Sequence, residues 1–211
     1  YEGYTGEFCD KKNDALVPLK YTLEATIIFG IDPNLKVFEL EGEENNNMKY
    51  DKSTFFQGAD AQNFLLSLCE DAINGTEFNL LVRKDYPCWI SEFKSYVINQ
   101  GLYFPVPTSM YNSLVASFLA VRANAKYKQD IGTAGAYYSG KVQWVSLTFR
   151  ANIDKTSPAA TLLPLYAEWA GFLDTINSKA IDEVGEGKMI SKDFTRMDTE
   201  IGIMSSTITS Y

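Results

Sequence analysis

The chain has 211 residues, 45% apolar and 14% aromatic, which suits one domain with a long insertion and excludes global disorder. A formal charge of -8 excludes the clustered Lys and Arg footprint of a nucleic-acid surface and a general attraction to anionic lipid. Histidine is absent, which removes Ser-His and Cys-His nucleophilic sites, His-based acid-base work and most zinc sites.

Residues 1–20 form a lead-in that opens "YEGYTGEFCDKK", with no initiator Met and no signal-peptide pattern. It reads as the start of a mature or excised piece of something longer. "YTLEATIIFGI" (21–31) then alternates, with Leu23, Ala25, Ile27, Phe29 and Ile31 on one face and Thr22, Glu24 and Thr26 on the other. That is a strand with one buried face, ended by Asp32-Pro33-Asn34. Residues 39–53 are polar without a period and read as a surface loop. A helix follows, with Asp60 as its expected N-cap, Phe64, Leu65, Leu68, Cys69 and Ala72 at spacings of three and four, and Gly75 as its stop. A second helical pattern runs from Trp89 through Phe93 and Val97 to Gly101. "YFPVP" (103–107) is an extended link, and Thr108 is the expected cap of a third pattern through Tyr111, Leu114, Val115, Phe118 and Arg122. Residues 124–140 read as loop, with Tyr137 and Tyr138 as a small aromatic contact.

"KVQWVSLTFRANID" (141–154) is the second clear strand, with Val145, Leu147, Phe149 and Ala151 on one face. The strongest helix comes next. Thr161 is its expected cap, Pro164 falls in its expected first turn, and Leu162, Leu165, Tyr166, Trp169, Phe172, Leu173, Ile176 and Ala180 make a broad apolar stripe. The bland reading of Trp169 is core, not ligand contact. "DEVGEG" (182–187) lacks the alternating acids of a calcium loop and reads as a solvated turn. Residues 187–194 suit a short strand. Phe194, Met197, Ile201, Met204 and Ile208 then recur at helical spacing, making an exit helix over 196–211 without a stop signal.

This order predicts an α+β fold: a ferredoxin-like split βαβ over residues 21–195, with helices on one face and an inserted helical subdomain at about 55–125. No nucleotide-loop, nucleophile-elbow or calcium-loop motif occurs, so no catalytic residue, metal or cofactor is assigned and the chain is expected not to be an enzyme. Cys69 and Cys88 have eighteen residues between them and no CxxC spacing. A disulfide is the expectation, with two unrelated core thiols as the alternative. Asn74-Gly75-Thr76 is an N-glycosylation acceptor between them, which fits an oxidising compartment. Cys9 is left over, either free or paired outside this piece.

These stretches also carry a resemblance. "TIIFGIDPN", "ADAQNFLLSLCEDA", "DYPCWISEF" and "VQWVSLTFRANI" together resemble the second extracellular domain of Dispatched-type proteins, in the Patched, Dispatched and Niemann–Pick C branch of the resistance-nodulation-division (RND) transporters. Gly30-Ile31-Asp32-Pro33, Cys69, Pro87-Cys88 and Phe93 occupy the places of that family's motifs, over residues 21–211. The stretch 99–140 is shorter than in animal Dispatched and lacks its extra cysteines. The resemblance implies an RND porter-type domain on the extracellular or luminal face of a membrane, the exit helix leading into a transmembrane helix. It implies as partners a lipid, sterol or lipidated protein, together with a companion ectodomain and the transmembrane domain of the same polypeptide.

Overall fold

A computed structural model describes residues 16–32, 50–134 and 140–208, with only the helical backbone for 204–208. The first strand, β1 (Thr22–Phe29), follows a 3-10 turn at Leu19–Tyr21. Three α-helices come next: α1 (Ala59–Asn74), α2 (Trp89–Asn99) and α3 (Thr108–Ala120). A 3-10 helix (Arg122–Gln129) leads into β2 (Ile131–Thr133), then β3 (Val142–Asp154), α4 (Ala159–Ser178), β4 (Lys188–Ile190) and α5 (Lys192–Ile208). The class is α+β, with one four-stranded sheet in the order β2-β3-β1-β4 and every pair antiparallel.

The two long alternating stretches make the centre of this sheet, paired from Thr22 opposite Asp154 to Phe29 opposite Val145. Their apolar positions share one face: Leu23, Ala25, Ile27, Phe29, Val145, Leu147, Phe149 and Ala151 are all buried. Leu65, Leu68 and Ala72 of α1 and Leu162, Trp169, Phe172 and Ile176 of α4 join the same core. Alternation places Thr26, Ser146 and Thr148 on the opposite face. The outer edge of β3 is paired twice. β2 takes its start, and beyond it Arg83 N–H donates to the Arg150 carbonyl and Asn152 N–H to the Leu81 carbonyl, both at 2.8 Å.

Helices α2 and α3 close around Phe93, whose ring meets Phe104, Tyr111 and Phe118 edge-on at 5.6–6.4 Å. The Pro-rich link between them is tied to α1 through Gln62, which is fully buried. Its amide donates to the carbonyls of Val106 (2.9 Å) and Gln57 (3.0 Å) and accepts from Val106 N–H at 2.9 Å. At the other end of the chain, the Ser191 hydroxyl accepts from Phe194 N–H and donates to the Glu24 carbonyl at 2.6 Å, docking the start of α5 on β1.

Several expected boundaries shift. Gly58, not Asp60, precedes α1; Asp60 lies in the first turn, where its charge complements the helix dipole. Pro107 precedes α3, and Thr108 is its first residue, turning its hydroxyl to the Gln57 carbonyl instead of capping. Pro158 precedes α4, which begins at Ala159, two residues before Thr161, so Pro164 lies inside the helix, on its exposed side. Arg122 falls beyond α3, in the 3-10 helix. The stretch 124–140, read as loop, holds part of that 3-10 helix and the whole of β2, whose three residues are too few to show a period. The short strand spans 188–190 and the exit helix starts at Lys192. Phe194 and Met197 are buried, whereas Ile201 and Ile203 are exposed, so the apolar stripe of α5 leaves the core after its second turn. Cys9, Tyr137, Tyr138 and most of the 39–53 loop lie outside the described residues.

Candidate functional site

Cys69 falls on the buried face of α1, and Cys88 is the residue from which α2 starts. The fold brings them to a Cα separation of 6.2 Å and joins them in a disulfide, with both residues almost fully buried. Next to it, Trp89 is buried and its indole N–H donates to the Ser146 carbonyl at 2.9 Å, so the bond and its neighbour tie α1, α2 and β3 together. Asn74 stands apart from the bond, exposed as the last residue of α1. Gly75 ends the helix with an extended backbone and donates its N–H to the Asp71 carbonyl at 2.8 Å.

A groove of about 430 Å³ opens between α1 and α4, past the end of this turn. Phe64, Leu68, Phe78, Phe172 and Ile176 give it an apolar lining, and the exposed side chains of Asp71, Glu77 and Lys179 stand at its rim. Phe78 meets Phe172 edge-on at 5.8 Å and lies so close to Gly171 that a Cβ there would sit 3.0 Å from its ring. Behind this wall Trp169 packs on Phe149 (5.5 Å) and Phe172 (6.0 Å), with its indole N–H buried and unpartnered. Such a lining can hold an apolar body, while the wet rim holds a polar end. A second cleft, about 560 Å³ and more polar, runs on the other side of α1, where Cys69, Asn74, Lys84 and Ser91 border it.

The opposite face of the sheet carries different chemistry. Asp130 is buried, and its carboxylate oxygen accepts from the hydroxyls of Ser146 (3.1 Å) and Thr148 (2.9 Å). Thr26 continues the chain of hydroxyls, 3.2 Å from Thr148. Burial pushes the Asp130 carboxyl up to about 6, the Thr148 and Ser146 hydroxyls hold it back, and the charge of Glu24 adds to the rise. Glu24 itself is paired with Arg150. Among the described residues, no three or more acids and thiols are grouped so that they could hold a metal.

Sequence reasoning singled out Cys69, Cys88 and Asn74, and the first two are bonded while the third lies five residues along the same helix. It did not single out Phe78, Gly171 or Asp130. Gly171 was the readable signal, since a glycine inside an otherwise apolar stripe leaves room for a neighbour. No family model and no curated protein matches the chain. No helix among the described residues is long and apolar enough to cross a membrane.

Proposed function

We propose that the chain is the non-catalytic ectodomain of a Dispatched- or Patched-like transporter of the RND superfamily, on the extracellular or luminal face of a membrane. In this reading it contributes a path or binding surface for a lipid, sterol or lipidated protein. It works there with a companion ectodomain and the transmembrane domain of the same polypeptide. The apolar groove between α1 and α4 carries this reading, because its lining suits the body of a lipidic molecule and its rim a polar end. The order of elements supports it. The chain runs strand, helices, two strands, helix, strand, and the sheet order β2-β3-β1-β4 puts β3 between β1 and β2, and β1 between β3 and β4. This order supports a reading as two interleaved split βαβ units of a ferredoxin-like porter domain, with α2 and α3 inserted before β2. The Cys69–Cys88 bond supports an oxidising compartment.

The test is direct titration of the secreted domain with a fluorescent sterol and with a fluorescent acyl-chain lipid below their micellar concentrations. Saturable micromolar binding of either probe is expected; its absence for both removes the lipid path from this domain. A standalone cell-surface interaction domain is the second reading. It is favoured by Tyr103, which is 90% exposed on a loop fixed on both sides by Leu102 N–H to the Val97 carbonyl and by Val106 to Gln62. An exposed tyrosine on a rigid support is a common anchor of protein interfaces. A Tyr103→Ala variant that binds lipid normally but no longer pulls down a partner from its own cells would favour this second reading.

A further inference from the structure

We propose that Asn74 carries an N-linked glycan whose first N-acetylglucosamine units lie in the polar cleft between the end of α1 and residues 84–91, over the Cys69–Cys88 disulfide. This inference rests on the extracellular or luminal placement above and is independent of the lipid. Three observations meet at one place. Asn74 and Thr76 are both exposed, and the helix stops between them at Gly75, so the acceptor tripeptide leaves the fold as an extended, accessible turn. Asn74 borders the polar cleft and not the apolar groove; Gly75 lies at the margin of both, and Thr76 at that of the groove alone. Within that cleft Glu70, Lys84 and Ser91 offer charged and hydroxyl partners for sugar hydroxyls and acetamides, and Pro87 offers an apolar patch for a pyranose face. Cys69 borders the same cleft, so a sugar seated there stands between the disulfide and solvent. At about 560 Å³ it lies within the ordinary range of small-molecule clefts.

The chemistry is an oligosaccharide transfer from a lipid pyrophosphate donor, catalysed by the transferase of the secretory membrane. The Asn74 amide nitrogen forms a bond to C1 of the first sugar and loses one proton. The bond from C1 to the pyrophosphate oxygen breaks, and the lipid pyrophosphate leaves. Nothing is oxidised or reduced, so the disulfide is untouched by the step.

The experiment secretes the domain from a eukaryotic line that keeps its glycans high-mannose. Peptide mapping should find one glycan at Asn74, lost in Asn74→Gln and in Thr76→Ala and kept in Thr76→Ser. Native reduction by dithiothreitol is then followed by thiol labelling at Cys69 and Cys88. The intact glycoprotein and a form trimmed by endoglycosidase to a single N-acetylglucosamine should both be reduced roughly fivefold more slowly than Asn74→Gln, because a seated sugar opposes local opening of the cleft. Equal rates for all forms would overturn the seating of the glycan in the cleft. An unmodified Asn74 on a secreted chain with the disulfide intact overturns the whole inference and leaves the compartment standing. Secretion with both cysteines free removes the compartment reading and this inference with it.

Discussion

Gly30, the first residue after β1, takes φ = +86°, and a Cβ on it would lie 2.4 Å from the Gln143 carbonyl oxygen. Gly30→Ala is therefore expected to destabilise the domain by at least about 2 kcal/mol, seen as a lower denaturation midpoint at unchanged slope. Trp169 gives the opposite kind of residue, fully buried against Phe149 and Phe172. Truncation to Ala should cost about 3–5 kcal/mol by urea unfolding. Trp169→Phe should cost far less, because it also removes a buried N–H that has no partner. An unchanged midpoint for the alanine variant would put Trp169 outside the core. Asp130 supplies a pH dependence. Its folded pKa of about 6 lies above the ordinary carboxylate value of about 4, so its contribution to stability is complete below pH ~4 and fades as pH rises through ~6. Asn keeps the oxygen that accepts from Ser146 and Thr148, so Asp130→Asn should match the parent near pH 4 and exceed it by about 2 kcal/mol at pH 7.5. A stability difference independent of pH would contradict this.

The elements divide by how much local signal each carries. The strands β1 and β3 were legible because each buries one face and alternates over at least eight residues. The helices α1, α3 and α4 were legible from their apolar stripes, whereas their first residues were not; α2 was legible down to its start at Trp89. Asp60, Thr108 and Thr161 all have capping side chains, yet the chain enters at Gly58, Pro107 and Pro158, because the preceding turns decide where each helix begins. Strand β2 was invisible, since its role is to cover the edge of β3 and three residues cannot display a period. The pairing of Cys69 with Cys88 was legible only as one of two options, because spacing alone does not decide between a bond and two thiols. Closing the nineteen-residue separation should contribute about 3 kcal/mol, so Cys69→Ala with Cys88→Ala should lower the midpoint accordingly. Non-reducing peptide mapping should give these two residues as one linked pair.

On the scale of the whole molecule, the two faces of one sheet divide the chemistry. Helices, groove and disulfide lie on the apolar side, and the hydroxyl network of Asp130 on the other. The sheet's class was readable from element order, but the groove was not, because Phe172 and Ile176 are the same residue types at the same helical spacing as the core around them. Only the approach of α1 to α4 separates lining from core. Thr175 lines this groove from a half-buried position. Thr175→Trp should therefore fill it, weakening fluorescent lipid probes at least tenfold while leaving the unfolding midpoint within about 1 kcal/mol. Full binding by that variant would move the lipid site elsewhere.

The double pairing along the outer edge of β3 has a mechanical consequence. Residues 81–83 and 131–133, which bracket α2 and α3, are both bonded to that single strand. The helical pair is thus held on that strand at both ends, and on α1 by the disulfide and Gln62, instead of hanging like a lid on one hinge. A push on α2 or α3 is carried by β3 to its pairing with β1, and β1 is in turn bonded to β4 and, from Glu24 N–H to the Asp193 carboxylate, to the first turn of α5. Force applied at the insertion is therefore passed across the sheet to the start of α5.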